Sequence, residues 1–216
     1  IYNGAYDNAI GIAMMIEAAR VLQANPPRRS VMFIGLTGEE RGLLGSDYFA
    51  HYPTVPAESL VANVNLDMPL FLFPISDLVD FGAAHSSLKT PMTAAAEAEG
   101  FNLVPDPMPE ENLFIRSDQY SFVRQGIPAS YLDTGFGSTD PDVDGEALVR
   151  DHIKNHYHKP SDDLSRPIHW DSAVRFARTN ARVGFAVANA DQRPSWNDGD
   201  FFGDKFAGDS VAAGDQ

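Results

Sequence analysis

Apolar residues recur at Ile10, Met14, Ala18, Val21 and Leu22, close to the 3.6-residue helical period, and predict an amphipathic helix that opens after Asp7. The run SVMFIGL, Ser30 to Leu36, lacks that period. Short, continuous and apolar, it predicts a strand buried on both faces that ends in the turn-like TGEERG. A second helix is expected over Leu43 to Tyr52, and a second buried strand, LVANVNL, over Leu60 to Leu66 with Asp67 at its end. Beyond it the pattern predicts a strand from Asp77 to Gly82 and a helix from Pro91 to Glu99, with proline in its first turn. Residues 105–116 carry three prolines and read as a loop. A short helix over Asp118 to Gln125, closed by Gly126, leads into a strand from Ile127 to Leu132. A Gly- and Asp-rich loop from Gly135 to Gly145 and a last helix from Asp171 to Asn189 complete the pattern. Alternating strands and helices imply an α/β fold, a sheet with helices on both faces. The tail from Arg193 is expected to fray or pack loosely, which confines the domain to residues 1–192.

Composition narrows the picture. With 216 residues, 44% of them apolar, the chain supports one sizeable core, hence one domain. Its net charge of −14 argues against nucleic acid and anionic membrane surfaces as partners. No apolar run is long enough for a membrane-spanning helix. Without cysteine, a bound metal has to be held by His, Asp and Glu. The chain opens at Ile1 in an already motif-like stretch, IYNGAYDN, so the N-terminus is expected to be cut from a longer precursor.

The candidate chemistry sits where such a sheet delivers its side chains. Asp7 precedes a helix, Glu39 and Glu40 follow one strand, and Asp67 follows another. Carboxylates crowded at one edge repel unless protonated or neutralised by a cation, and zinc accepts Asp, Glu and His donors. Glu39 and Glu40, adjacent in a tight turn, point in different directions. One can bind metal while the other takes a proton from the acidified water that peptide hydrolysis needs.

Each residue also has a plainer role. Asp7 fits an N-cap, Glu39 and Glu40 fit first-turn acids, and Asp67 fits a turn. Ser117 and Asp118 fit helix capping, and Tyr131 is either a donor to an oxyanion or core packing. His152 and His156, four apart, share a helix face and with His158 could form a rival metal site, but they lack the H-E-x-x-H form. His51, His85 and His169 read as ordinary histidines. GLLGS, Gly42 to Ser46, is no G-x-S-x-G elbow, which argues against a serine hydrolase.

Five segments in order carry a family resemblance: GAYDNAIG (Gly4 to Gly11), the strand-GEE-GLLGS stretch (Ser30 to Ser46), NLD (Asn65 to Asp67), SDQYSFVRQGIPA (Ser117 to Ala129) and YHKPSDD (Tyr157 to Asp163). Together they resemble the zinc-dependent aminopeptidase and glutamate carboxypeptidase family of co-catalytic exopeptidases. The resemblance implies a three-layer αβα fold with a central mixed, mostly parallel sheet. It also implies Asp7 as a carboxylate bridging two zinc ions, Glu40 and His158 as ligands of the first, Asp67 as ligand of the second, and Glu39 as general base. Asp118 and Tyr131 would face a peptide substrate. The family places one more histidine, in an H-x-D motif, upstream of the GAxDN segment, and this chain begins only six residues before Asp7. The expectation is therefore one tightly held zinc here and two in a complete family site. Gln119 stands where many relatives have His, in the substrate loop. A secreted or periplasmic location follows from the resemblance, as do the alternatives: a carboxypeptidase, a glutaminyl cyclase-like enzyme, or a catalytically silent binding domain.

Overall fold

The computed structural model describes residues 1–208. Helices α1 (Ile10–Ala24), α2 (Leu44–His51) and α3 (Lys89–Ala98) form where the apolar period places them, and so do α4 (Gln119–Val123) and α6 (Trp170–Asn189). Strands β1 (Asn63–Asn65), β2 (Asp77–Phe81), β3 (Asn102–Val104) and β4 (Ala129–Thr134) form one sheet in the order β1-β4-β2-β3. β1 runs parallel to β4 and β2 parallel to β3, while β2 and β4 are antiparallel, so the sheet is mixed and mostly parallel, as expected.

Alternation along the strands separates two faces. Leu78 and Leu132 point into the main core, which they share with Met14 of α1, Met92 of α3 and Phe176 and Val183 of α6. Val79, Phe81 and Tyr131 point the other way, towards Leu113 and Phe114 of the 105–116 loop. On that side α2 and α4 close a smaller cluster through Ala50 and Phe122. Helix, sheet, helix is the resulting layering.

The segment from Ser30 to Leu36 departs from expectation. It forms no ladder, and Val31, Met32 and Phe33 are 37%, 42% and 38% exposed rather than buried on both faces. The physical reason is pairing: among the described residues no neighbouring strand is hydrogen-bonded to it. The strand expected over Leu60 to Leu66 keeps a ladder only at Asn63–Asn65.

Three elements were not anticipated. β3 extends the sheet beside β2. Helix α5 (Gly145–Asn155) begins at Asp144, whose side chain accepts from the Ala147 N–H. Helix α7 (Phe201–Phe206) lies inside the tail expected to be irregular, and the tail packs on the body through the Trp196 indole N–H, which donates to the Gly126 carbonyl. Residues 209–216 of that tail lie outside the described residues.

On α5, His152 is fully buried with neither ring nitrogen hydrogen-bonded, its ring edge-on to Tyr6 at 5.3 Å. Burial pushes its pKa down from 6.5 to about 4. Unfolding frees the imidazole to take a proton, so its stabilising effect is complete above pH 6.5 and is lost as pH falls towards 4. Between pH 7 and pH 5 the stability of the chain relative to His152→Leu, measured by denaturant unfolding, should fall by about 1–2 kcal/mol. A stability difference between the two that does not change with pH would contradict this account.

Candidate metal centre

Four separate pieces of backbone meet at the end of β1. The first is the bend before α1, which Asn8 fixes to the end of the strand. The Asn8 Nδ2 donates to the Leu66 carbonyl at 2.8 Å, and its Oδ1 accepts from the N–H of Gly11 at 3.1 Å and of Met68 at 3.2 Å. Only glycine fits at position 11, because a Cβ there would lie 2.2 Å from that Oδ1 and 2.6 Å from the Leu66 carbonyl oxygen. Asn8, then, does the capping that the sequence offered to Asp7, and the Asp7 carboxylate is left for the cavity. Buried Asp162 holds the same bend from the other side, accepting from the N–H groups of Tyr6 at 2.9 Å and Asp7 at 3.0 Å.

The second piece is the single turn Glu39–Arg41 that follows the unpaired segment. It is clamped on α2 by Gly45, where a Cβ would sit 2.3 Å from the Thr37 carbonyl oxygen. The third is Asp67 itself, with the Ser117 hydroxyl donating to its carboxylate. The Asn65 Nδ2 in turn donates to the Ser117 Oγ at 2.9 Å and to the Gln119 Oε1 at 2.8 Å. The fourth is the turn after α5, which carries His158 at φ +57° with its ring against Tyr157 at 3.7 Å.

These pieces bring the His158 Nε2 to 3.2 Å from the Asp7 Oδ2 and 2.8 Å from the Glu40 Oε1. Ligand atoms of the three residues all lie within 4.8 Å of one another. Three ligands at about 2.0–2.1 Å from one tetrahedral ion would stand roughly 3.3 Å apart, so the spacing matches a first coordination shell. Glu39 and Asp67 line the same cavity outside that trio. The crowding shows in their proton affinities. Burial, then the carboxylates of Asp67, Glu40 and Glu39, pushes Asp7 up to about 8. Burial, then Asp67, Glu40 and Asp118, pushes Glu39 up to about 7. Burial raises Asp67 as well, against the lowering effect of the Ser117 hydroxyl.

Of the residues anticipated at the site, Asp7, Glu40 and His158 come together, Glu39 and Asp67 stand beside them, and Tyr131 lines the cavity with its hydroxyl 3.4 Å from the Asp67 carbonyl oxygen. Asp118 does not line the cavity. It stands beside Ser46, raised by burial, with its Oδ1 buried and unpartnered, and its carboxylate acts on Glu39 and Asp67 from outside the lining. Gln119 is fully buried and ties the loop down instead of facing substrate, its Nε2 donating to the Phe114 carbonyl at 2.7 Å. His156 turns to the Ser161 Oγ at 2.9 Å, and the rival histidine group does not assemble among the described residues. Sequence reasoning missed Asn8, Asp162 and the Ser117–Asp67 bond, although all three lie in the quoted segments. Their adjacency to Asp7 and Asp67 along the motifs was the available signal.

The model of peptidase family M28 matches residues 1–184. The chain belongs to peptidase family M28. A probable zinc metalloprotease of Pyricularia oryzae is 25% identical over 226 residues, covering 87% of this chain and 42% of the relative. Aminopeptidase YwaD of Bacillus subtilis is 41% identical over 66 residues, 30% of this chain and 14% of that protein. Among solved structures, BSAP, a zinc aminopeptidase from Bacillus subtilis, shares the fold with TM-score 0.66 at 24% identity, over 88% of this chain and 43% of that one. An aminopeptidase from Aneurinibacillus sp. strain AM-1 gives TM-score 0.59 at 23% identity over 88% of this chain and 41% of that one. The chain spans less than half the length of each of these proteins.

Carboxylates raised to about 7 and 8 when folded ionise near 4 when unfolded, so the folded state binds more protons in between and loses stability as pH rises from about 4 through 8. The melting temperature of the chelator-treated chain should fall over that range, and a divalent cation should raise it by more at pH 8 than at pH 5. A gain independent of pH would mean that the cation binds elsewhere.

Proposed function

We propose that this member of the M28 family is the catalytic core of a zinc-dependent aminopeptidase, with one zinc ion held by Asp7, Glu40 and His158 and with Glu39 as the general base. What supports it is one juxtaposition: two carboxylates and an imidazole at the spacing of ligands around one ion, with a third carboxylate, Glu39, beside them in a cavity of about 440 Å³. Two oxygens and one nitrogen are a donor set that zinc takes in catalytic sites, where a fourth position stays open. A zinc ion there supplies Lewis acidity, which lowers the pKa of a water and polarises a peptide carbonyl.

The chain's own groups account for the remainder. Glu39 stands beside the trio in the same cavity, a place from which its carboxylate can deprotonate the attacking water and return the proton to the leaving amine. The Tyr131 hydroxyl makes only a long contact to the Asp67 carbonyl oxygen and is available as a donor to the oxyanion. Asp67, held by Ser117, is the place for a second, weaker ion in the complete family site. The acidic lining, with Asp67, Asp106 and Asp133 besides the trio, attracts a protonated amino terminus and repels a terminal carboxylate, which favours the aminopeptidase direction.

With zinc and an aminoacyl chromogenic amide, the chain should turn over substrate, and Glu39→Gln should lower kcat by roughly 10²–10⁴ with zinc content unchanged. Zinc should titrate at about one tightly bound ion per chain. Activity indifferent to Glu39→Gln would remove the base, and two equally tight ions would overturn the single-site assignment.

A further inference from the structure

Away from the metal centre, the cavity floor is one face of the sheet. On β2 and β4, Val79 lies opposite Asp133 and Phe81 opposite Tyr131, so these four side chains share that face. Val79, Phe81 and Tyr131 are 2%, 5% and 5% exposed, and Met108 and Val149 add apolar wall. Asp133 is the one charged side chain on this floor. Its Oδ1 accepts from the Thr134 N–H at 2.6 Å and from the Thr134 hydroxyl at 3.5 Å. Among the described residues no hydrogen bond reaches its second oxygen, and no lysine, arginine or histidine pairs with it. The cavity's arginines are engaged elsewhere, Arg116 with Glu111 at 2.9 Å and Arg150 with Glu146 at 2.8 Å. Lys154 also lines the cavity, but the charges that act most on Asp133 are the carboxylates of Asp67 and Asp106.

Position sets the reach. β1 and β4 run parallel with Asn65 beside Tyr131, so Asp133 lies on the part of β4 that continues past the end of β1, on the side where Asp67 stands. A long side chain can lay its methylenes on the apolar floor of Val79, Phe81 and Tyr131 and carry a terminal cation to that carboxylate.

We propose that Asp133 is the specificity-determining residue of this cavity and selects peptides whose first residue has a long aliphatic stem ending in a cation, that is, lysine or arginine. This rests on the aminopeptidase reading for its direction, though the pocket chemistry is separate from the metal's. A desolvated carboxylate with an unpaired oxygen is costly beside an apolar side chain and is satisfied by an ammonium or guanidinium, so norleucine, equal in stem and lacking the charge, is penalised.

Two measurements on the zinc-loaded chain test this. The first is kcat/KM for lysyl and norleucyl chromogenic amides in the wild type, Asp133→Asn and Asp133→Leu. A lysyl preference of at least tenfold that collapses below twofold in both variants upholds the assignment. A wild-type ratio near one, a ratio untouched by the substitutions, or a parallel fall of both substrates overturns it. The second is calorimetric binding of lysinamide and norleucinamide, which needs no turnover. If no amide is hydrolysed, the aminopeptidase reading fails by itself. Tenfold tighter lysinamide binding that Asp133→Asn abolishes then still upholds the pocket assignment, whereas equal affinities overturn it.

Discussion

Carboxylates of Asp7, Glu39, Glu40 and Asp67 face one cavity, and everything around them is arranged to keep them there. Two unit charges 4 Å apart repel by about 4 kcal/mol at an effective dielectric of about 20, so free anions would push apart the three backbone pieces that carry them. Protonation relieves part of the load, as the raised affinities of Asp7 and Glu39 show. A divalent cation relieves more of it, and this is the sense in which the centre is built for a metal: its residues repel one another without one.

The repulsion is opposed by bonds that touch no substrate. Asn8 ties the Asp7 bend to β1, Asp162 holds the same bend from behind, and Ser117 fixes Asp67 while accepting from Asn65. Each of these partners is polar and at least partly buried, so it aims a neighbouring carboxylate at low entropic cost while its own hydrogen bonds are met. Beneath them the core of α1, α3 and α6 against one face of the sheet supplies the stabilisation that lets the other face carry strain and charge. Gln119 joins the two regions, because the loop it anchors through Phe114 is the wall of the cavity.

How much of this could be read along the chain differs from element to element. Long apolar periods were decisive: α1, α2, α3 and α6 fall where the spacing of their buried residues puts them. Short elements were less legible. β3 is three residues long, and its identity comes from pairing with β2 and not from its own pattern. The run from Ser30 to Leu36 shows the opposite failure, a strand-like sequence without a ladder, since a β-strand exists only with a neighbour. Helix α7 lay in a stretch whose glycine and aspartate content reads as loop, yet Phe202 packs on Phe114 and His85 and holds it in place.

The donor types at the metal centre were fixed by the sequence itself. Without cysteine, the order GAYDN, GEE, NLD and YHKPSDD leaves Asp, Glu and His as the only groups that can hold a metal, because local chemistry is carried by residue type and short spacing. Which of them stand together was decided by tertiary structure alone. Asp7 and His158 lie 151 positions apart and meet at 3.2 Å, whereas Asp118, next to Ser117 in the chain, lies outside the lining of the cavity and acts on Glu39 and Asp67 through its charge. Distance in space and the side of a strand or turn on which a group emerges are properties of the packed sheet. Asp133 is the clearest instance: in sequence it is one more acid in an acidic protein, and only its register opposite Val79 puts it on the floor of the cavity.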